Sequence, residues 1–318
     1  MAMTRFLLVW IVFSTKNIGG YLHQVTHRLF SALKTFFCWM LRFCNVRLVL
    51  AIARGLCFLG VLGREFRHQN PVATQNFHCL TGQKGRIDAS WIAVRRKILE
   101  ASATWAQNPK VLRQLAACTQ QLDEAVAPLR LRKNAVILAP LHSISDVLAA
   151  MVGAGVTPGR AIVIVSSSAE QYNARARALG GVNLSYCSIH QDSKQLASSL
   201  TSLLSDVAMG QQNLIIFPDI TPDYTVQTEE AASGKLRCRL FGRVAGLHSG
   251  IARLARAVSA QVVFYHLYYQ DGLRIHIHAP VKARDVAEKL PEVIEQALQE
   301  YPHDWLLWHS HSLYFINQ

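Results

Sequence analysis

Two periods of apolar residues organise the chain. Short, nearly continuous apolar runs occupy 135–139, 161–165 (AIVIV), 213–217 (NLIIF) and 261–269. Turn residues flank them, Asn134 and Pro140 the first, Gly159 the second, Pro218 the third and Asp271 the fourth, the pattern of a buried strand. Between them, apolar residues recur at spacings of three and four. This predicts helices over 146–152, closed by Gly153 and Gly155, over 169–179, over 193–208 with Gly210 as its stop, and over 246–257. A weaker strand pattern covers 182–186. The run 261–269 pairs with 273–279 as a hairpin around Asp271-Gly272, and a last helix is expected over 291–301. Upstream, 86–123 reads as helical and is broken at Asn108-Pro109. Residues 66–81 read as polar and irregular, with a turn at Asn70-Pro71. Strand and helix alternate from 135 to 260, which predicts an α/β fold: a mixed sheet flanked by helices. Sites in such folds gather beyond the carboxyl ends of strands. His142 and Asp219 each follow a strand end.

The first 68 residues differ. The run FLLVWIVF (6–13) is too short for a transmembrane helix, which needs about 20 apolar residues, and no small-residue cleavage site follows it. The stretch FFCWMLRFCNVRLVLAIARGLCFLGVLG is longer but is interrupted by Arg42, Arg47 and Arg54. Arg47 and Arg54 are seven apart and share a helix face. Such a helix can lie in a headgroup layer, apolar side down, with its arginines reaching for phosphates. The division expected is 1–68 as a basic amphipathic, membrane-associating helical region and 69–318 as the α/β domain.

Composition supports that division. Hydrophobic residues make up 51%, mean hydropathy is +0.16, net charge is +13 and the pI is about 9.7. Residues 1–68 carry nine Lys/Arg against one acid, Glu65. The balance suits an anionic partner. Nucleic acid is disfavoured, because there is no Lys/Arg-dense tail, zinc-ligand spacing or RNA-binding signature. Seven scattered cysteines without a CxxC argue against a disulfide framework. No metal or other cofactor is expected.

Three constellations carry possible chemistry. In VILAPLHSISDVLAA, His142 precedes Asp146 by four residues, and on a regular helix that spacing puts both on one face. A carboxylate on one ring nitrogen fixes the tautomer and leaves the other nitrogen as a base. Ser143 and Ser145 lack the surroundings of a nucleophile elbow. In NLIIFPDITPDY, a strand delivers Asp219 and Thr221 to a loop, as active-site groups or as capping residues. In GKLRCRLFGRVAG, Lys235, Arg237, Arg239 and Arg243 precede a small-residue helix start, a possible anion site.

Taken in order, these segments resemble the lipid A late acyltransferase family of the lysophospholipid acyltransferase superfamily. VILAPLHSISD is similar to its histidine-plus-acid motif. IIFPDITPDY is similar to its strand-to-aspartate block, and LFGRVAGLHSGIARLARAVSAQVVFYHLYYQDGLRIHI to its FGR segment and following strands. HDWLLWHSHSLYF is similar to its tryptophan-rich end, and NFHCLTG to its Asn-containing segment. The likeness spans roughly 45–315.

The resemblance implies a monotopic enzyme on the cytoplasmic face of an inner membrane. It would move an acyl group from an acidic carrier-protein thioester to a hydroxyl of lipid A or a related anionic glycolipid. His142 would be the general base, Asp146 its orienter and Asp219 an active-site acid. Thr221, Arg239 and Arg243 would contact substrate. The family's acid follows its histidine by five residues, whereas position 147 here is Val. Of its mid-domain arginine, only Arg175 or Arg177 is a substitute. These departures widen the donor to an aminoacyl group such as glycine, and they leave a catalytically inactive lipid-binding or assembly protein as the competing class.

Overall fold

In this computed structural model, the residues described are 25–26, 28–29, 31–33, 35–37, 39–165, 184–188, 193–220 and 235–310. The run 6–13, the helix expected over 169–179, Arg175, Arg177 and Thr221 lie outside them.

The protein is α/β, with a mixed sheet between two layers of helices. Its strands are β1 (Val136–Pro140), β2 (Ala161–Val165), β3 (Leu184–Ser188), β4 (Asn213–Ile216), β7 (Gln261–Tyr269), β8 (Leu273–Ile277) and β9 (Val281–Lys282). The spatial order is β3-β2-β4-β1-β7-β8, with β9 also on β7. The first five are mutually parallel, and β8 and β9 run antiparallel to β7. All five residues of β1 and all four of β4 are buried. Central strands covered on both faces need apolar side chains throughout, hence the unbroken runs. Because β1 and β4 are parallel neighbours, their carboxyl ends deliver the next residues of each to one place.

The helices are α1 (Val46–Phe58), α2 (Asn70–Thr81), α3 (Ala89–Ala103), α4 (Pro109–Leu131), α5 (Asp146–Gly155), α6 (Ser193–Ala208), α7 (Gly250–Ala257) and α8 (Val286–Glu300). Residues of α1, α3, α4 and α5 cluster on one side of the sheet with Leu138, Val263 and Tyr265. Residues of α2, α7 and α8 cluster on the other with Ile137, Phe264 and Trp308.

Several boundaries differ from expectation. Residues 70–81 form a helix instead of a turn, because Pro71 sits in the first turn, where a missing N–H costs nothing. The long helix divides where expected: Asn108 caps α4 through Lys110 N and Val111 N. The same buried side chain donates to the carbonyls of Leu41, Arg42 and Cys44, tying the N-terminal region to the domain. Gly153 does not end its helix. A Cβ there would stand 2.6 Å from Tyr265 Oη and 3.0 Å from Ile215 Cδ1, so glycine allows α5 to approach the sheet. Residues 246–248 are strand. β5 (Lys235–Leu240) and β6 (Arg243–His248) form a separate hairpin, turned at Phe241-Gly242 with positive φ at both. That pair of left-handed residues is the two-residue turn a hairpin favours, and α7 begins only at Gly250.

The N-terminal region is helical at its described positions between 25 and 43, then continues as α1. α1 has two apolar faces. Val46, Leu50, Ala53 and Cys57 are buried, whereas Leu48 and Ile52 are 60% and 56% exposed. At 100° per residue, Arg47 and Arg54 fall on the flank between them. Phe36, Trp39 and Phe43 add exposed aromatic surface just upstream. Among the described residues, no helix is long and apolar enough to cross a membrane.

Candidate active site

His142 and Asp219 meet at the carboxyl ends of β1 and β4. The ring Nδ1 of His142 lies 2.7 Å from Asp219 Oδ1, and the backbone N–H of His142 donates to Oδ2 at 2.9 Å. A carboxylate only accepts, so Nδ1 carries a hydrogen in either charge state, and in the neutral ring Nε2 keeps its lone pair. Asp219 is wholly buried, and the His142 side chain is 17% exposed. Trp305 Nε1 donates to Asp219 Oδ2 at 2.9 Å. The ring of Phe217 packs against the imidazole, 4.6 Å between centroids.

The pairing expected between His142 and Asp146 is not the one made. α5 starts at Asp146 itself, with Ser145 as N-cap. His142 therefore lies outside the helix, and the one-face argument does not apply to it. Asp146 instead forms an ion pair with Arg96 Nη2 at 2.6 Å. It lies in the first helical turn, where the helix dipole favours an anion.

The turn between β1 and α5 is tight. Ser143 N–H donates to Leu141 O, and Ser145 N–H to Ser143 O. Between them Ile144 adopts φ +61°, a left-handed conformation that costs a β-branched residue roughly 1–3 kcal/mol. Its neighbours hold it there. Leu141 N–H donates to Tyr265 O and Ser143 Oγ to Leu267 O, both on β7. From the other side, a strap formed by residues 302–310 closes on the turn. Ile144 N–H donates to Asp304 O, Leu306 N–H to His142 O, and Ser143 forms an isolated bridge with Trp305.

The strap is itself pinned. Arg95 and Asp304 form a buried ion pair at 2.7 Å, and Arg95 also donates to His303 O. Tyr269 N–H donates to Asp304 Oδ2. Asn76 donates to the carbonyls of Trp308 and Ser310. Ser145 Oγ donates to Glu100 Oε1 at 2.7 Å, and Arg96 Nε reaches the same oxygen at 2.8 Å. A pocket of about 350 Å³ opens beside this network. Ile92 and Trp308 are among its apolar lining and Arg96, Lys97, Glu100 and His309 among its polar lining.

Electrostatics favour the charged forms of the pair. Burial pulls the His142 pKa down, but the charge of Asp219, its hydrogen bond and the charge of Asp146 outweigh burial and Arg96, raising it above the ordinary imidazole value. Burial likewise pushes Asp219 up. The charge of His142 and the hydrogen bonds from its ring, from Trp305 and from the His142 backbone hold the carboxyl below its usual range.

The remaining expected residues separate. Arg239 and Arg243 are exposed on the β5–β6 hairpin, not at a helix start. That hairpin touches the site loop where His248 N–H donates to Ile220 O at 3.2 Å. Trp305, Asp304, Arg95, Arg96 and Glu100 were not anticipated. Two segments noted for their motifs, at 76 and around 305, do meet here, and that adjacency has no local signature. Among the described residues, no group of three His, Cys, Asp or Glu is arranged to hold a metal ion.

No known protein family matches this chain, and no curated protein is significantly similar to it.

Proposed function

We propose that the protein is a membrane-surface group transferase. It moves an acyl or aminoacyl group from a carrier-protein thioester to a hydroxyl of lipid A or a related anionic glycolipid. The carrying observation is the buried Asp219 bonded to His142 Nδ1, which leaves Nε2 as a base. Nε2 takes the proton of the acceptor hydroxyl as its oxygen attacks the thioester carbonyl. The carbon–sulfur bond then breaks, and the departing thiolate recovers that proton from the imidazolium. Asp219 holds the ring and stabilises its charged form; this role replaces the one expected of Asp146.

The membrane assignment is supported by the outward apolar face of α1 with Arg47 and Arg54 on its flank, and by the net charge of +13. The sequence resemblance to the lipid A late acyltransferases supplies the donor and acceptor classes.

A second reading keeps the chemistry and specifies an aminoacyl donor. It is motivated by the sequence: the acid of the lipid A late acyltransferases follows their histidine by five residues, whereas position 147 here is Val.

Mass spectrometry of lipids from cells with and without the protein separates the readings. Addition of about 57 Da indicates a glycyl group and roughly 180–240 Da a long acyl chain. His142→Ala abolishes the added mass, by at least about 100-fold in rate, while membrane association persists. Full turnover by purified His142→Ala protein removes the mechanism. Unchanged lipid masses in a deletion strain remove the enzyme assignment and leave a binding protein.

A further inference from the structure

Three histidines that the proposed chemistry does not use pack together on the α8 side of the sheet. His266 on β7 stands directly across from His276 on β8. Their rings are stacked, 5.0 Å between centroids and 11° from parallel. His278, two residues after His276, packs on both at 5.5 Å and 4.6 Å. His266 is wholly buried, and neither of its ring nitrogens has a hydrogen-bond partner among the described residues; nor has Nε2 of His278. A neutral imidazole always carries one N–H, so an unpartnered buried ring is costly and calls for an explanation. His266 and His276 are stacked and His278 is tilted by 45° and 52° to them; among the described residues, no group of three His, Cys, Asp or Glu is arranged to hold a metal ion.

Burial and the neighbouring His278 and His276 push His266 down to about 3, and burial with His276 pushes His278 down to about 4. The groups facing the cluster come from every neighbouring element. α8 and the residue after it supply Glu300, 3.8 Å from His276 Nδ1, with Gln296 and Tyr301. Tyr268 of β7 stacks on Tyr301 at 4.3 Å. Asp219 acts on His266 from the active site, and Asp304 acts on Tyr301.

The position gives this cluster leverage. Tyr265 and Leu267, the residues on either side of His266, are the two that hold the His142 turn. Tyr301, which covers His266, leads directly into the strap that carries Asp304 and Trp305.

We propose that His266, His276 and His278 form an acid-sensitive latch. Neutral, the stack lets the end of α8 and the strap close on the sheet. Protonated, it places like charges about 5 Å apart, one of them on the wholly buried His266. Glu300 can neutralise one charge beside His276 but not a second. Opening at Tyr301 hydrates the rings, withdraws Trp305 from Asp219 and Asp304 from the Ile144 turn, and disassembles the site. This inference is independent of the reaction catalysed.

The sign follows from linkage. Histidines with lowered native pKa values contribute stability that is present above the unfolded value near 6.5. It is lost as pH falls from there towards about 3 to 4. The test is thermal unfolding of the full chain from pH 7.5 to 5.0, followed by tryptophan fluorescence. The wild-type midpoint falls by roughly 10 °C over that range. His266→Phe, which keeps the volume, loses about half of that dependence or more, whereas His248→Asn, outside the stack, retains most of it. An unaltered pH dependence in folded His266→Phe overturns the proposal, as does its disappearance in His248→Asn. Should His266→Phe not fold, imidazole NMR of the wild type decides. The His266 and His278 signals stay at neutral positions until the protein opens; ordinary titration near pH 6.5 with the fold intact overturns the latch.

Discussion

His142 and His266 are enclosed by the same sheet, one just beyond β1 and the other within its neighbour β7, yet they receive opposite surroundings. His142 has a wholly buried carboxylate at 2.7 Å and is held above the ordinary imidazole value. His266 has no hydrogen-bond partner among the described residues and is pushed down to about 3. Enclosure penalises the charged ring in both places. A counter-charge at hydrogen-bond distance reverses the outcome in only one. Burial therefore leaves a strongly or a weakly basic imidazole, according to what one further residue supplies. That residue is Asp219, and it comes from the loop beyond another strand, β4.

The comparison breaks most severely if the strap is released. Arg95→Met leaves Asp304 buried without its cation and is expected to cost about 3–5 kcal/mol, measured by urea unfolding. Stability within 1 kcal/mol of wild type would mean that the ion pair does not hold the strap.

Asp219→Asn tests the difference directly, by making His142 resemble His266. The His142 pKa falls below its wild-type value, seen by imidazole NMR, and transfer drops by at least about 100-fold. The stability change has a defined pH window. The His142 contribution is fully present below the unfolded value near 6.5 and is lost as pH rises through its raised native value. The Asp219 contribution is present above 3.8 and is lost as pH falls through its lowered native value. Wild type and Asp219→Asn should therefore differ most between those limits. A difference that grows at alkaline pH contradicts the pairing.

Trp305→Phe keeps an aromatic side chain but removes the indole N–H that donates to Asp219. The expected loss is about 1–3 kcal/mol, with a smaller fall in the His142 pKa than Asp219→Asn produces. The smallest effect belongs to Asp146→Asn. It removes a helix N-terminal charge worth about 0.3–1 kcal/mol and lowers the His142 pKa slightly. If it abolishes transfer as fully as Asp219→Asn, Asp146 has a catalytic role that its ion pair with Arg96 does not explain.

Much of the fold was legible because it rests on local patterns. The unbroken apolar runs at β1, β2, β4 and β7 read as strands buried on both faces, and Ser193–Ala208 and the Asp271-Gly272 hairpin turn fell where expected. Errors arose where one residue type serves two purposes. Pro71 opens a helix instead of marking a turn, and Gly153 permits close packing instead of stopping a helix. His142 and Asp219 were both identifiable as residues beyond strand ends. Their pairing was not, because β1 and β4 become neighbours only through the strand order, with β2 and β3 intervening in the chain. Spacing along the sequence instead suggested Asp146. The strap was still less accessible, since Trp305 and Asp304 act across more than 80 and 200 residues on Asp219 and Arg95.

The strap also sets a timetable for synthesis. A ribosome that has just finished His142 has more than 160 residues to add before Trp305 exists. Until then Asp219 lacks one of its donors and the Ile144 turn has nothing to close over it. The nascent chain can form helices and begin its sheet early, but this constellation must assemble among the later events. A chain stopped before the strap would thus lack the assembled site altogether rather than hold a weakened one.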